Sequence, residues 1–363
     1  MRQRLAILAV VMIAVAWMVT TQRTREEPDG TVPSSVEVQH AVESILDRAM
    51  DYPYEDVRTS YLFVNGKTYD YTDLGSDPMR DGRVKDDHGA LVHVEDFLRG
   101  ILPEVGGKLP PSINERHAVI AYGSNRAPSA LAQNFSNGLS TRHRTAIPVI
   151  KAILPDFEVV HAAHYERNGN QPATIQYAAG ARAEVFVTFL DDEDLMLMHA
   201  AEGLDPASPL SWYHYAKLSD INLQLVGGPT LASAFAYIDN YGATKVNDRT
   251  FAVSKVAGQT ISAKMSQQEV LDLTRSLVES GDPGLDGAHR CSDMTGARHF
   301  LCTSWADTCL RAQRIRALHE KYSAPFAVPS GAIPKYEVIS GSTHAGNPAN
   351  YLGPRCERDP DIG

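Results

Sequence analysis

Residues 118–125 run Ala118-Val119-Ile120-Ala121-Tyr122-Gly123-Ser124-Asn125, and the fold turns on how they are read. The apolar residues up to Tyr122 make a short strand, and the Gly-Ser-Asn that follows suits a tight turn off its end. Arg126-Ala127-Pro128-Ser129-Ala130-Leu131 then reads as the start of a helix. A strand–turn–helix junction presents backbone N–H groups and the small side chains of Ser124 and Asn125 toward one point. Such a point can hold a carboxylate or an oxyanion. Taken alone, the same string is also an ordinary tight turn. A serine-hydrolase elbow is set aside, because Gly-Ser-Asn lacks the second glycine of G-x-S-x-G.

A second segment points to the same chemistry. Asp191-Asp192-Glu193-Asp194 opens a predicted helix, where acidic side chains complement the helix dipole. The helix runs on to Met198-His199-Ala200-Ala201-Glu202-Gly203, with Leu195, Met198 and Ala201 expected on one core-facing side. Gly203 suits the left-handed residue that closes a helix. A carboxylate at the negative helix end, beside apolar packing, is expected to have a raised pKa. A base working near neutral pH needs that. The competing reading of Glu202 is an exposed terminal glutamate of ordinary acidity. His199, one turn before Gly203, reads as an exposed helix histidine, with an approach to the site as the alternative.

Segment 118–125 resembles the Y-G-S-N turn that closes the first strand of the γ-glutamylcyclotransferase family. Leu154-Pro155-Asp156-Phe157-Glu158-Val159-Val160 resembles that family's second strand. Pro172-Ala173-Thr174-Ile175 resembles its "ATI" strand, and Gly180 precedes a further strand over 183–190. Glu202-Gly203 matches the helix end whose glutamate is the family's catalytic acid/base, and Tyr213 or Tyr215 matches a following aromatic residue. The resemblance spans residues 116–260. It implies an α+β fold, a small, mixed, partly closed β-barrel with peripheral helices. It further implies a γ-glutamyl-type small-molecule substrate held by Tyr122, Gly123, Ser124, Asn125, Tyr213 and Tyr215. Glu202 would be the general acid/base that releases 5-oxoproline from a γ-glutamyl amine or peptide, with neither metal nor organic cofactor. The alternative on the same fold is a non-catalytic small-ligand-binding module or an envelope scaffold. Two positions depart from the family pattern. Arg126 replaces an apolar residue and would either meet a substrate carboxylate or face solvent. Ala183-Glu184-Val185-Phe186 replaces a glycine-containing strand start.

Bulk properties narrow the field. A formal charge of −10 leaves no compensating basic face for nucleic acid, and Arg142-His143-Arg144 reads as a solvated loop. Arg2 and Arg4 precede an apolar run over 5–19, the n-region and h-region of an export signal. The run falls short of the roughly 20 residues of a comfortable transmembrane helix. Ala14-Val15-Ala16 offers a small-x-small cleavage site inside it, so a cleaved signal and an uncleaved membrane anchor both stand. The expected destination is periplasmic, secreted or membrane-anchored. The four cysteines, Cys291, Cys302, Cys309 and Cys356, all lie in the last quarter of the chain. In an exported chain they suggest two disulfides, with all three pairings open. No C-x₂-C pair points to zinc.

The chain divides into a signal or anchor (1–22), a charged linker (23–35), an N-terminal extension (36–115), the core (116–260) and a cysteine-bearing C-terminal extension (261–363). The N-terminal extension should hold a helix over 36–50, a hairpin turning at Asn65-Gly66 and a short helix over 94–101. Asp86, Asp87, His88 and His93 carry metal-ligating groups but read as a solvated loop. His161 and His164 would lie on opposite strand faces, which argues against a joint metal site. Strands are expected over 231–238 and 250–253. A helix capped by Ser266 and Glu269, a helix over 311–322 and an irregular end from Pro329 should follow.

Overall fold

Asn65 and Gly66 both take positive φ, 48° and 87°, as a two-residue hairpin matched to strand twist demands. They join strand β1 (Tyr61–Val64) to β2 (Lys67–Asp73). β3 (Arg83–Lys85) and β4 (Leu91–His93) extend that sheet, with helix α1 (Ser35–Met50) before it and α2 (Val94–Ile101) after. The structure is a computed structural model and describes residues 35–102, 109–136, 146–204, 212–279 and 291–341. The expected export segment, the expected linker up to residue 34, Arg142-His143-Arg144 and Cys356 lie outside the described residues. Among the described residues, no helix is long and apolar enough to cross a membrane.

A closed five-stranded barrel forms the centre. β5 (His117–Ala121) pairs antiparallel with β7 (Ala173–Leu190) and parallel with β9 (Thr230–Asp239). β9 pairs with β8 (Tyr213–Leu225), β8 with β6 (Ala146–His161), and β6 with β7, which closes the ring. The barrel is therefore closed rather than partly closed. β6 and β7 are each longer than the sequence suggests. Segments 172–175 and 183–190 belong to one strand, and Gly180 bends that strand instead of ending it. Asp156 and Gly180 face each other at the bend with φ of 62° and 84°, and the Gly180 N–H donates to Asp156 Oδ1 at 2.8 Å. A register shift at this point re-aims both strands, as a bulge does at a barrel corner. β1 pairs with the start of β6, so the N-terminal hairpin continues the barrel's own sheet. Ile120, Phe157, Val185, Val187, Leu218 and Ile238 fill the interior.

Helices occupy the outside. α3 (Pro128–Ser136) and α4 (Asp192–Ala201) lie near the β5 end, while α5 (Gln267–Val278), α6 (Gly296–Ala306) and α7 (Thr308–Tyr322) form a separate layer. Leu46 of α1, Phe300, Leu301, Ile315 and Leu318 bury themselves there against Tyr165 and Tyr241. Ser266 and Glu269 make a reciprocal capping box at the start of α5. Asp307 caps α7, accepting from the N–H groups of Cys309 and Leu310 at 2.9 Å. Short strands β10 (Ala243–Val246), β11 (Arg249–Val253), β12 (Gly258–Gln259), β13 (Ala263–Met265) and β14 (Ser323–Ala324) trim the sheet. The end of the chain is less irregular than its glycines and prolines suggest, because β15 (Lys335–Ser340) adds to β8. In the β3–β4 turn, Asp86 Oδ1 accepts from the N–H groups of His88 and Ala90, and Asp87 pairs with Lys67 at 3.2 Å.

Cys291 and Cys302 form a disulfide within the helical layer, both fully buried. Cys309 is also disulfide-bonded. The Cys291–Cys302 link closes a loop of 11 residues. Replacing both cysteines by serine should cost about 3 kcal/mol, from loop-closure entropy and from two hydroxyls placed in an apolar layer. Urea denaturation of the double variant tests this, and an unchanged midpoint would contradict it.

Candidate active site

The turn after β5 is held from several sides. Tyr122 is buried, and its hydroxyl donates to the Tyr237 carbonyl. Gly123 caps a short 3-10 turn, Ser124–Arg126. A Cβ on Gly123 would stand 2.6 Å from Tyr52 Oη, so only glycine fits beneath that phenol. Tyr52 Oη in turn accepts from the Ala173 N–H at 2.9 Å, bridging the turn to the first residue of β7. Ser124 is half-buried, and its carbonyl accepts from the Ala127 N–H at 2.8 Å.

Glu202 arrives at this turn on α4. Asp191 caps the helix start by accepting from the Asp194 N–H at 2.9 Å. Glu202 is the C-cap, and Gly203 leaves the helix at φ 63°. The far end of the helix is fixed by Arg116, whose buried guanidinium lies 3.6 Å from Asp194 and 3.9 Å from Asp191. Arg116 also donates to the Phe189 carbonyl at 3.0 Å and the Pro111 carbonyl at 3.1 Å. Ala201, expected on the core side, is exposed; the buried positions of α4 are Asp194 and Met198.

Turn and helix meet directly. Asn125 Nδ2 donates to Glu202 Oε1 at 2.5 Å, and Asn134 Nδ2 of α3 donates to Asn125 Oδ1 at 3.3 Å. That second bond fixes which way the Asn125 amide faces. Glu202 as a whole is half-buried, but its carboxyl is desolvated, which pushes its pKa up to about 7. The Asn125 hydrogen bond opposes this rise, and the charge of Glu166 adds to it. A carboxylic acid with that pKa can take and return a proton near neutrality.

The remaining expected residues separate. Tyr213 stands in the site's field: burial raises its phenol, and Glu166, Asp239 and Glu202 raise it further. Tyr215 belongs to another layer, stacked on Phe235 at 4.9 Å with His199 edge-on at 4.8 Å. His199 is not an exposed helix residue. It is half-buried, and its Nδ1 lies 2.7 Å from Tyr237 Oη. Arg126 neither faces solvent nor projects as a free cation. It is 3% exposed, its Nη2 donates to the Lys255 carbonyl at 3.2 Å, and burial lowers its pKa. His161 Nε2 lies 3.0 Å from the Met265 carbonyl, and burial holds its pKa down to about 4.

Five residues near the site escape sequence reasoning as functional groups: Tyr52, Asn134, His164, Glu166 and Asp239. Tyr52 arrives from the N-terminal extension and Asp239 from the end of β9. No local pattern connects either to the turn. His164 reads only as half of a disfavoured metal pair with His161, and Glu166 only as a polar residue after a strand. Among the described residues no three His, Cys, Asp or Glu side chains are grouped to hold a metal ion. No protein-family model, curated protein or solved structure matches the chain.

Proposed function

We propose that the barrel is of γ-glutamylcyclotransferase type and that the chain releases 5-oxoproline from a γ-glutamyl amide. The observation that carries this reading is the 2.5 Å contact between Asn125 and a Glu202 carboxyl desolvated to a pKa of about 7. It joins the two halves of the family's motif across 77 residues of sequence.

The substrate's γ-carbonyl would lie against the N–H groups of the 123–125 turn, with its α-ammonium beside Glu202. Ionised Glu202 takes a proton from the ammonium, and the freed amine attacks the γ-carbonyl, forming the ring C–N bond. Turn N–H groups hold the oxyanion of the tetrahedral intermediate. Its collapse breaks the amide C–N bond, and Glu202 returns the proton to the departing nitrogen. Over the whole reaction two protons pass from the α-nitrogen to the leaving amine. The attack is intramolecular, so positioning and proton transfer suffice. Tyr122 shapes the floor of the turn, and Tyr213 lines the acid side. With the expected export, the substrates would be γ-glutamyl compounds outside the cytoplasm.

Glu202 must be ionised to begin, so kcat/KM should rise with pH along a limb centred near 7. The Asn125 hydrogen bond favours the ionised form, so Asn125→Ala should move that limb to higher pH. At pH 7 the variant should lose about tenfold, since a hydrogen bond to a charged group is worth about 1.5 kcal/mol. A panel of γ-glutamyl amides assayed for 5-oxoproline across pH tests both points. A limb that stays in place in the Asn125 variant would contradict the role given to Asn125. Ligand binding without any product would instead indicate a binding module.

A further inference from the structure

The direction in which the Asn125 amide points decides what Glu202 meets, and a residue outside the family's motif sets that direction. Asn134 sits in the last turn of α3, three residues after Leu131, so the two share a face. Leu131 is fully buried in one apolar cluster with Met198 of α4, and this packing carries Asn134 toward the Glu202 end of that helix. The other end of α3 is tied to the N-terminal extension. The Ser129 N–H donates to Glu55 Oε1 and Arg48 Nη1 donates to Ser129 Oγ, both at 3.2 Å.

The contacts close into a ring. Asn134 Nδ2 donates to Asn125 Oδ1 at 3.3 Å and lies 3.9 Å from Met198 Sδ. Asn125 Nδ2 donates to Glu202 Oε1 at 2.5 Å. Met198 and Glu202 stand one turn apart at the end of α4. A thioether sulfur and an ionised carboxylate only accept hydrogen bonds. With acceptors at both ends, each amide has one direction that satisfies the chain, and in it Asn125 turns its N–H toward Glu202. Protonated Glu202 needs the reverse, because its O–H would donate to Asn125 Oδ1. A flipped Asn125 would then set its own N–H groups against those of Asn134. The weak acceptor Met198 Sδ opposes the flip of Asn134 that would relieve this.

We propose that Asn134 is a positioning residue that, through the Asn125 amide, favours ionised Glu202, the form that accepts the substrate's proton. Its use in catalysis rests on the cyclotransferase reading, but the test needs no turnover. Glu202 is titrated in the full chain by carbon NMR of ¹³C-labelled glutamate, its resonance assigned by its loss in Glu202→Gln. The charge of Glu166 raises the Glu202 pKa, and the phenols of Tyr122, Tyr213 and Tyr237 feel Glu202 in turn. All four remain in every variant compared, so the differences report the amide chain. Asn134→Leu removes the donor without adding charge and should raise the Glu202 pKa by about 0.5 or more, the size of a neutral hydrogen bond. Asn134→Asp offers an acceptor instead, which inverts Asn125, and its charge adds to the rise, so the increase should be about 1 or more. In an Asn125→Ala background, Asn134→Leu should shift nothing further, and the rise from Asn134→Asp should shrink to the share its charge makes alone. The rising limb of kcat/KM should move with the carboxyl. An unchanged Glu202 pKa in folded Asn134→Leu, or a shift that persists in full without Asn125, would overturn the role. If Asn134→Leu does not fold, Asn134→Asp decides the matter, since an unchanged or lowered pKa there overturns it equally. The expected shifts without 5-oxoproline from any γ-glutamyl amide would leave the positioning role standing and refute the cyclotransferase.

Discussion

At pH 8, Glu202→Gln should be more stable than the wild-type chain by about 3 kcal/mol while losing about 10³-fold or more in 5-oxoproline release. Both effects have one cause. Burial raises the Glu202 pKa from 4.5 to about 7. Below pH 4.5 the carboxyl is protonated in the folded and unfolded chains alike, and its neutral form suits the folded site. Between 4.5 and about 7 the unfolded chain releases the proton while the folded chain retains it, so stability falls as pH rises, by about 1.4 kcal/mol for each pH unit crossed. Above 7 the folded chain carries an ionised, desolvated carboxylate, and the loss is complete. Glutamine keeps an oxygen for Asn125 to donate to but carries no charge. Its advantage should therefore be absent near pH 4, grow between 4.5 and 7, and level off above that. Denaturation of both chains at several pH values, beside the activity assay, tests this. Equal stability at pH 4 and pH 8 would mean that the carboxyl is not desolvated and has no special fitness as a base.

Arg116→Met should destabilise the fold by about 3–5 kcal/mol, the usual effect of removing one partner from a buried ion pair. The loss takes the cation away from the Asp194 carboxylate, which is fully buried, and removes the donors to the Phe189 and Pro111 carbonyls. The effect should reach the site, because Arg116 anchors the N-terminal end of the helix whose other end carries Glu202. Adding Asp194→Leu to Arg116→Met removes the buried negative charge and should recover part of the stability. A single variant within about 0.5 kcal/mol of wild type would show that the pair is solvated and that α4 is held by its apolar face alone.

What was legible in the sequence was local. Asn65-Gly66 fixes a hairpin because few residues accept positive φ at both positions. Ser266 with Glu269 fixes a helix start, and the Asp191 cap with Gly203 bounds α4. The Y-G-S-N turn and Glu202 were legible as a pair only through a resemblance, yet they meet at 2.5 Å. What misled was a residue whose local meaning the long-range structure reverses. Gly180 looks like a strand break, but it bends one long strand where Asp156 bends its partner. Arg126 is expected either at a substrate carboxylate or in solvent, yet the turn folds it inward against the Lys255 carbonyl. Tyr52 and Asp239 carry no local signal, because Tyr52 reaches the turn only when the N-terminal extension packs on the barrel and Asp239 only when the barrel closes. His164 and Glu166 were visible as residue types, but their mutual arrangement depends on β9 and on the turn after β6.

The N-terminal extension is tied to the barrel at two levels. Its hairpin adds to β6, and Tyr52 bridges Gly123 to Ala173. A core cut at residue 116 would lose both, so activity measurements belong on the full chain.

Product stoichiometry is the most direct test that Glu202 and the Tyr122–Asn125 turn make a cyclotransferase. The purified chain, incubated at pH 8 with a γ-glutamyl amide, should release 5-oxoproline and free amine in equal amounts, without added metal or cofactor. Glu202→Gln, folded and stable under the same conditions, should release neither. Glutamate in place of 5-oxoproline, or equal product from the Gln variant, would contradict the assignment.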